Sequence, residues 1–100
     1  MKIRFLVAAQ YELDDAYDWY EAQAKGLGGQ LIEETRLAVR RVAVFSESCQ
    51  EIAPGIRRCL IRRFPYALIY RTAEEELVIL AVMHQHRKPR DWQLRLKMTK

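Results

Sequence analysis

Lys25-Gly26-Leu27-Gly28-Gly29 separates two stretches of helical period, and this break constrains the fold more than any other feature of the chain. Before it, Leu13, Ala16, Tyr17, Tyr20 and Ala24 recur at steps of three and four, on one face of a helix that begins at Ala9. After it, Leu31, Thr35, Ala38, Val42 and Phe45 repeat in the same way, with Ile32 and Val39 widening the stripe, up to about Phe45. A linker this short forces the two helices side by side and antiparallel, with the two stripes as their seam. Gly26 suits the left-handed position that ends a helix. Glu12, Asp14, Asp15 and Asp18 lie mostly off the apolar face and toward the helix N-terminus, where the macrodipole favours negative charge.

The rest of the chain reads as strands. Residues 2–7 are rich in Ile, Phe, Leu and Val and form a first strand. Ser46-Glu47-Ser48 opens a loop, and Pro54-Gly55 marks a turn. Residues 58–64, 67–71 and 77–83 are then three further strands. Phe64-Pro65-Tyr66 connects the first pair and the charged Ala73-Glu74-Glu75-Glu76 the second. Connections this short require antiparallel pairing. Residues 77–83 are apolar on both faces, which belongs in the interior of a sheet. Trp92, Leu94 and Leu96 suit one more helical turn within residues 89–97. The expected architecture is α+β in the order β-α-α-β-β-β, a helical hairpin packed on a small, mainly antiparallel sheet. With 100 residues there is room for one domain, 1–100, large enough to bury a core without metals or disulfides.

Several classes of function are excluded at this level. Half the chain is apolar and 30% is charged, so it is not a disordered tail. The longest apolar run, residues 77–83, falls far short of the ~20 residues of a membrane span. The apolar stretch of residues 5–9 is too short for a signal peptide, so a cytoplasmic protein is expected. Cys49 and Cys59 read as two reduced thiols. No zinc, phosphate-loop or redox motif occurs, so neither metal nor cofactor is expected. The charge is unevenly spread, −2 over residues 1–50 and +6 over residues 51–100. Basic clusters at Arg57-Arg58, Arg62-Arg63 and Arg87-Lys88-x-Arg90 point to an acidic or polyanionic partner.

Trp19-Tyr20-Glu21, the Gly26-Leu27-Gly28 loop, Arg62-Arg63-Phe64-Pro65-Tyr66 and Ala81-Val82-Met83-His84-Gln85-His86-Arg87-Lys88-Pro89 together resemble the RelE/ParE superfamily of toxins, in order and over nearly the whole chain. These are the toxin halves of type II toxin–antitoxin modules, often described as plasmid-stabilisation proteins. The resemblance implies a RelE/ParE-like fold and neutralisation by a small antitoxin whose C-terminal segment wraps the toxin, in a toxin–antitoxin hetero-oligomer. It leaves two targets open, because RelE-like members cut mRNA on the ribosome, whereas ParE-like members poison DNA gyrase.

Metal-free RNA cleavage needs a base, an acid and cations around the phosphate. If the chain is RelE-like, Arg58, Arg62, Arg63 and His84 are the expected catalytic set, with Tyr66 or Tyr70 assisting. The central strands carry no lysine, however, and the Arg-Arg-Phe-Pro-Tyr and His-Gln-x-Arg-x-Pro signatures look more ParE-like. On that reading Arg62, Arg63, His86 and Arg87 contact gyrase. Tyr17, Tyr20, Leu31, Thr35 and Arg71 are expected to meet the antitoxin. Plainer roles compete at several positions. Arg62 or Arg63 is equally suited to pairing with Glu33 or Glu34, a structural hydrogen bond is the commoner role for a histidine placed like His84, and Leu31 and Thr35 fit the helix seam better than a partner site.

Overall fold

Residue 6 is where the chain leaves the sheet and becomes helix, two residues earlier than the apolar period suggests. The computed structural model describes residues 1–85. Strand β1 (Lys2–Phe5) is followed by helices α1 (Val7–Gln23) and α2 (Leu27–Val44), then by strands β2 (Gln50–Ala53), β3 (Ile56–Leu60), β4 (Tyr66–Ala73) and β5 (Glu76–His84). The sheet order is β1-β5-β4-β3-β2. β1 runs parallel to β5, and the other neighbours are antiparallel. The α+β class and the helical hairpin on a mainly antiparallel sheet are as the residues dictate, with one strand added.

That added strand, β2, pairs with β3 around Pro54-Gly55, where Gly55 has a φ of 75°. Its sequence, Gln-Glu-Ile-Ala, lies half-exposed on the sheet edge and lacks the β-branched alternation that signals a strand. β3 ends at Leu60 rather than Phe64. Arg63 turns left-handed, with φ of 71°, and swings Phe64 back into the core. Because α1 begins at Val7, none of its acids lies in the first turn, and their expected benefit from the macrodipole is lost.

The hairpin turn is tied by one side chain. Gly26 adopts φ of 90°, a left-handed conformation costly for any residue with a Cβ. The Glu21 carboxylate accepts the Gly26 N–H at 2.8 Å and the Gly28 N–H at 2.9 Å, satisfying amides that open α2. Gly28 allows the helices to touch, since a Cβ there would lie 2.8 Å from both the backbone oxygen and the ring of Tyr17. In the seam Leu31, Thr35, Ala38, Val39 and Val42 are buried. Thr35 is only 3% exposed, and its hydroxyl donates to the Leu31 carbonyl at 2.8 Å, so no polar group is stranded there. Two members of the expected stripe fall outside it, because Ile32 and Phe45 are exposed.

Both faces of β5 are buried. Leu77, Ile79 and Val82 join the core under the helices, with Leu68 and Tyr70 of β4. Val78, Leu80, Ala81 and Met83 join a second cluster with Ile56 and Ile69. The register shift between Ile69 and Tyr70 explains why Leu80 and Ala81, adjacent in sequence, share a face. The expected helical turn within residues 89–97 lies outside the described residues.

Candidate functional site

At one end of the sheet, the Arg62-Arg63-Phe64-Pro65 turn lies against the end of β5. The Ile61 N–H donates to the Tyr66 carbonyl at 2.9 Å, and the Gln85 N–H to the Pro65 carbonyl at 2.9 Å. Phe64 folds beneath α1, its ring 5.0 Å edge-on from that of Tyr20. Tyr66 and His84 face each other across β4 and β5, with ring centroids 5.2 Å apart. With Tyr20 6.3 Å from Tyr66 and Trp19 4.9 Å from Tyr20, the edge-to-face contacts run from an exposed indole to the histidine. Burial, and then the neighbouring Tyr66, raise the Tyr20 hydroxyl above the usual tyrosine range.

Two surfaces flank this end. One is a hollow of about 230 Å³ between α1 and β5, lined by Glu12, Asp15, Trp19, Tyr66, Val82 and His84. It combines two carboxylates with aromatic rings, and the carboxylates make it an environment that disfavours phosphate and favours cationic groups. The other is a more open, mostly apolar hollow of about 370 Å³ at the end of α2, lined by Leu37, Arg40, Arg41, Val44, Phe45 and Arg62. Val44 is 70% exposed, Phe45 66% and the nearby Leu60 49%. Arg41 ties the two elements together by donating to the Leu60 carbonyl at 3.4 Å. Apolar side chains this exposed, ringed by three guanidinium groups, make a surface that suits an acidic amphipathic segment.

The catalytic set expected for an RNA-cleaving chain does not converge. Arg58 alternates with Cys59, shares the face of Ile56, and so lies on the side of the sheet away from the helices. Arg63 is occupied on α2, donating to the Gln30 side chain at 2.6 Å and lying 3.7 Å from the Glu34 carboxylate. Arg62 opens onto the end of α2, and His84 opens onto the hollow that holds Glu12 and Asp15. His86 and Arg87 lie outside the described residues.

The residues expected to meet an antitoxin are also dispersed. Tyr17 covers Gly28, and Tyr20 belongs to the aromatic run. Leu31 and Thr35 are sealed in the seam, so no partner reaches them in this state. Arg71 pairs with Ile56 in register and lies on the opposite face. Sequence reasoning missed the cluster at the end of α2. Its signal is present in Arg40-Arg41-Val42-Ala43-Val44-Phe45, where arginines and large apolar residues share the last turn, but the helical period places Phe45 in the seam.

Among the described residues no group of three or more His, Cys, Asp and Glu side chains is placed to hold a metal ion. No helix among them is long and apolar enough to cross a membrane.

Comparison with known proteins agrees with this architecture. The family model for the ParE toxin of type II toxin-antitoxin system, parDE, matches residues 3–89. Among solved structures, a chain of the chromosomal ParDE TA system from P. aeruginosa superposes with a TM-score of 0.72 at 20% identity, covering 84% of this chain and 95% of that one. At that identity the likeness establishes a shared fold. No curated protein matches. The family match reaches from within β1 past the end of β5, and the chain therefore belongs to the ParE toxin family of type II toxin–antitoxin systems.

Proposed function

We propose that the chain inhibits DNA gyrase without cleaving RNA, and that a cognate antitoxin silences it by laying an acidic, amphipathic segment over the end of α2 and β3. The family match supports the gyrase target. The observation that carries the distinction from an RNA-cleaving relative is the setting of His84, which shares its hollow with Glu12 and Asp15. A phosphate approaching that imidazole meets two carboxylates, while Arg58, Arg62 and Arg63 point to three other places. Catalysis of transesterification requires cations and base around one phosphate.

For the antitoxin, the support is charge and shape. Arg40, Arg41 and Arg62 surround Val44, Phe45 and Leu37, so steering charge and burial area coincide. Arginine is suited to holding carboxylates at such a rim because its planar fork binds them bidentately.

Plasmid supercoiling by purified gyrase, with and without the protein, tests the target. Inhibition with a trapped cleavage complex is the expected result. Unimpeded supercoiling, together with cuts in mRNA seen by primer extension during expression, overturns the proposal in favour of an endoribonuclease.

A further inference from the structure

Cys49, the residue before β2, and Cys59 of β3 occupy the next positions beyond the β2–β3 ladder. The ladder pairs Gln50 with Arg58 and Glu51 with Arg57, and one further step brings Cys49 against Cys59. The backbone parity of that step follows from the neighbouring strand. The Ile61 N–H bonds to Tyr66, so Ile61 and, two residues away, Cys59 direct their amide and carbonyl groups toward β4. Cys59 therefore faces Cys49 as a non-hydrogen-bonded pair. In agreement, the Cys49 carbonyl is not used by the ladder and accepts Arg57 Nη1 at 2.7 Å. Such pairs hold their Cα atoms about 4.5 Å apart, inside the roughly 4.4–6.8 Å that a disulfide spans. The Cys49 side chain lies near enough to Cys59 to raise its thiol, and both side chains pack on the core beneath the helices.

We propose that Cys49 and Cys59 are a redox-reactive pair that closes to a reversible intramolecular disulfide, with a small-molecule disulfide as oxidant. This proposal is independent of the gyrase reading. Cys49 is half-buried and Cys59 buried, so the reaction starts at Cys49. The Cys49 thiolate attacks one sulfur of the oxidant, forms a mixed disulfide and expels a thiolate. The Cys59 thiolate then attacks Sγ of Cys49 and expels the second thiolate, leaving one protein disulfide and two reduced small-molecule thiols. The second step is held back by the environment of Cys59. Burial, and then Cys49, push its thiol up to about 11. Tyr70 of β4 faces the same pair, Arg57 lies beside it on β3, and Arg41 of α2 works in the opposite direction by favouring the thiolate.

The test uses the reduced full chain and oxidised glutathione. The expected product has lost about 2 Da, has no titratable thiol and carries no glutathione. Its closure rate rises with pH above neutrality, and the free thiols return on adding dithiothreitol. Cys59→Ser is expected to stop at a glutathione adduct on Cys49, about 305 Da heavier. Against the same redox buffer, the folded chain forms the disulfide at least about tenfold more favourably than the chain in guanidinium, because the fold has already closed the loop. A folded wild-type chain that retains two thiols, stays glutathionylated or forms only covalent dimers overturns the proposal. So does equal propensity for closure in the folded and unfolded chains.

Discussion

Glu12 of α1 accepts the backbone N–H of Val82 on β5, at 3.0 Å, across 70 positions of sequence. The contact follows from where β1 stops. β1 pairs with β5 only as far as Phe5 opposite Ile79, and after the Leu6 N–H meets the Ile79 carbonyl the chain departs into α1. Beyond that point no strand among the described residues pairs with this edge of β5, and a carboxylate on the first helix supplies an acceptor for Val82. The same side chain lines the hollow around His84 beside Asp15, so one residue both satisfies this edge of β5 and adds to the acidity of that surface.

Replacing Glu12 by alanine leaves the Val82 amide without its partner, and about 1–3 kcal/mol of stability is expected to be lost. Glu12→Gln keeps an acceptor and should lose much less. Denaturant unfolding of the two variants checks this; equal losses would mean that the carboxylate charge, not the hydrogen bond, matters.

Gly28 and Gly29 are adjacent but face different surroundings. Gly28→Ala places a methyl group 2.8 Å from the Tyr17 backbone oxygen, so the helices must part, at a cost of about 1–3 kcal/mol. Trimming the ring with Tyr17→Ala is not expected to rescue it, because the backbone oxygen remains. Gly29→Ala meets nothing within 4 Å and should be neutral or stabilising by up to ~1 kcal/mol in a helix. Thermal melts of the three variants separate these outcomes.

Alkaline pH should destabilise the protein through the core around Tyr70. The Cys59 thiol is raised to about 11 by burial and then by Cys49, from an ordinary value of 9.0. Its neutral form is favoured by folding, so the associated stability is complete below about pH 9 and is lost as pH rises toward 11. Burial also raises the Tyr70 hydroxyl well above its usual range, and that hydroxyl donates to the Ser46 carbonyl at 2.7 Å. Stability measured at stepped pH should fall across this window, and the slope should flatten in Cys59→Ala. An unchanged slope in that variant would remove Cys59 as a source.

Phe45→Asp should weaken antitoxin binding by at least tenfold, since it adds a charge at the centre of the apolar surface at the end of α2. Arg62→Ala should mainly slow association and reduce its salt dependence. Wild-type binding should survive high salt with a slower on-rate, because burial supplies most of the affinity. Calorimetry and association kinetics with the cognate antitoxin measure both. A Phe45→Asp variant that binds normally places the antitoxin elsewhere.

Much of the fold can be read in the chain because its signals are local. The glycine break at Gly26, Gly28 and Gly29 dictates a helical hairpin. The seam through Leu31, Thr35, Ala38 and Val42 follows from side-chain period, and the doubly apolar run of β5 from its place between β1 and β4. β2 escaped detection because edge-strand pairing satisfies backbone groups, whatever the side chains are.

The candidate surfaces were less legible, for a different reason. Arg58, Arg62 and Arg63 are close in sequence, and composition alone groups them into one cationic site. Only the tertiary structure separates them, since strand alternation sends Arg58 to the far face, a left-handed turn at Arg63 redirects the chain, and Glu34 captures the Arg63 guanidinium. The converse holds for residues far apart in sequence. Glu12 reaches Val82, and Phe45 joins Arg62, through strand order and helix docking that no local pattern encodes. Period and propensity act between neighbours a few residues apart and are written in the chain. Charge and shape complementarity depend on distances that exist only after the sheet has closed.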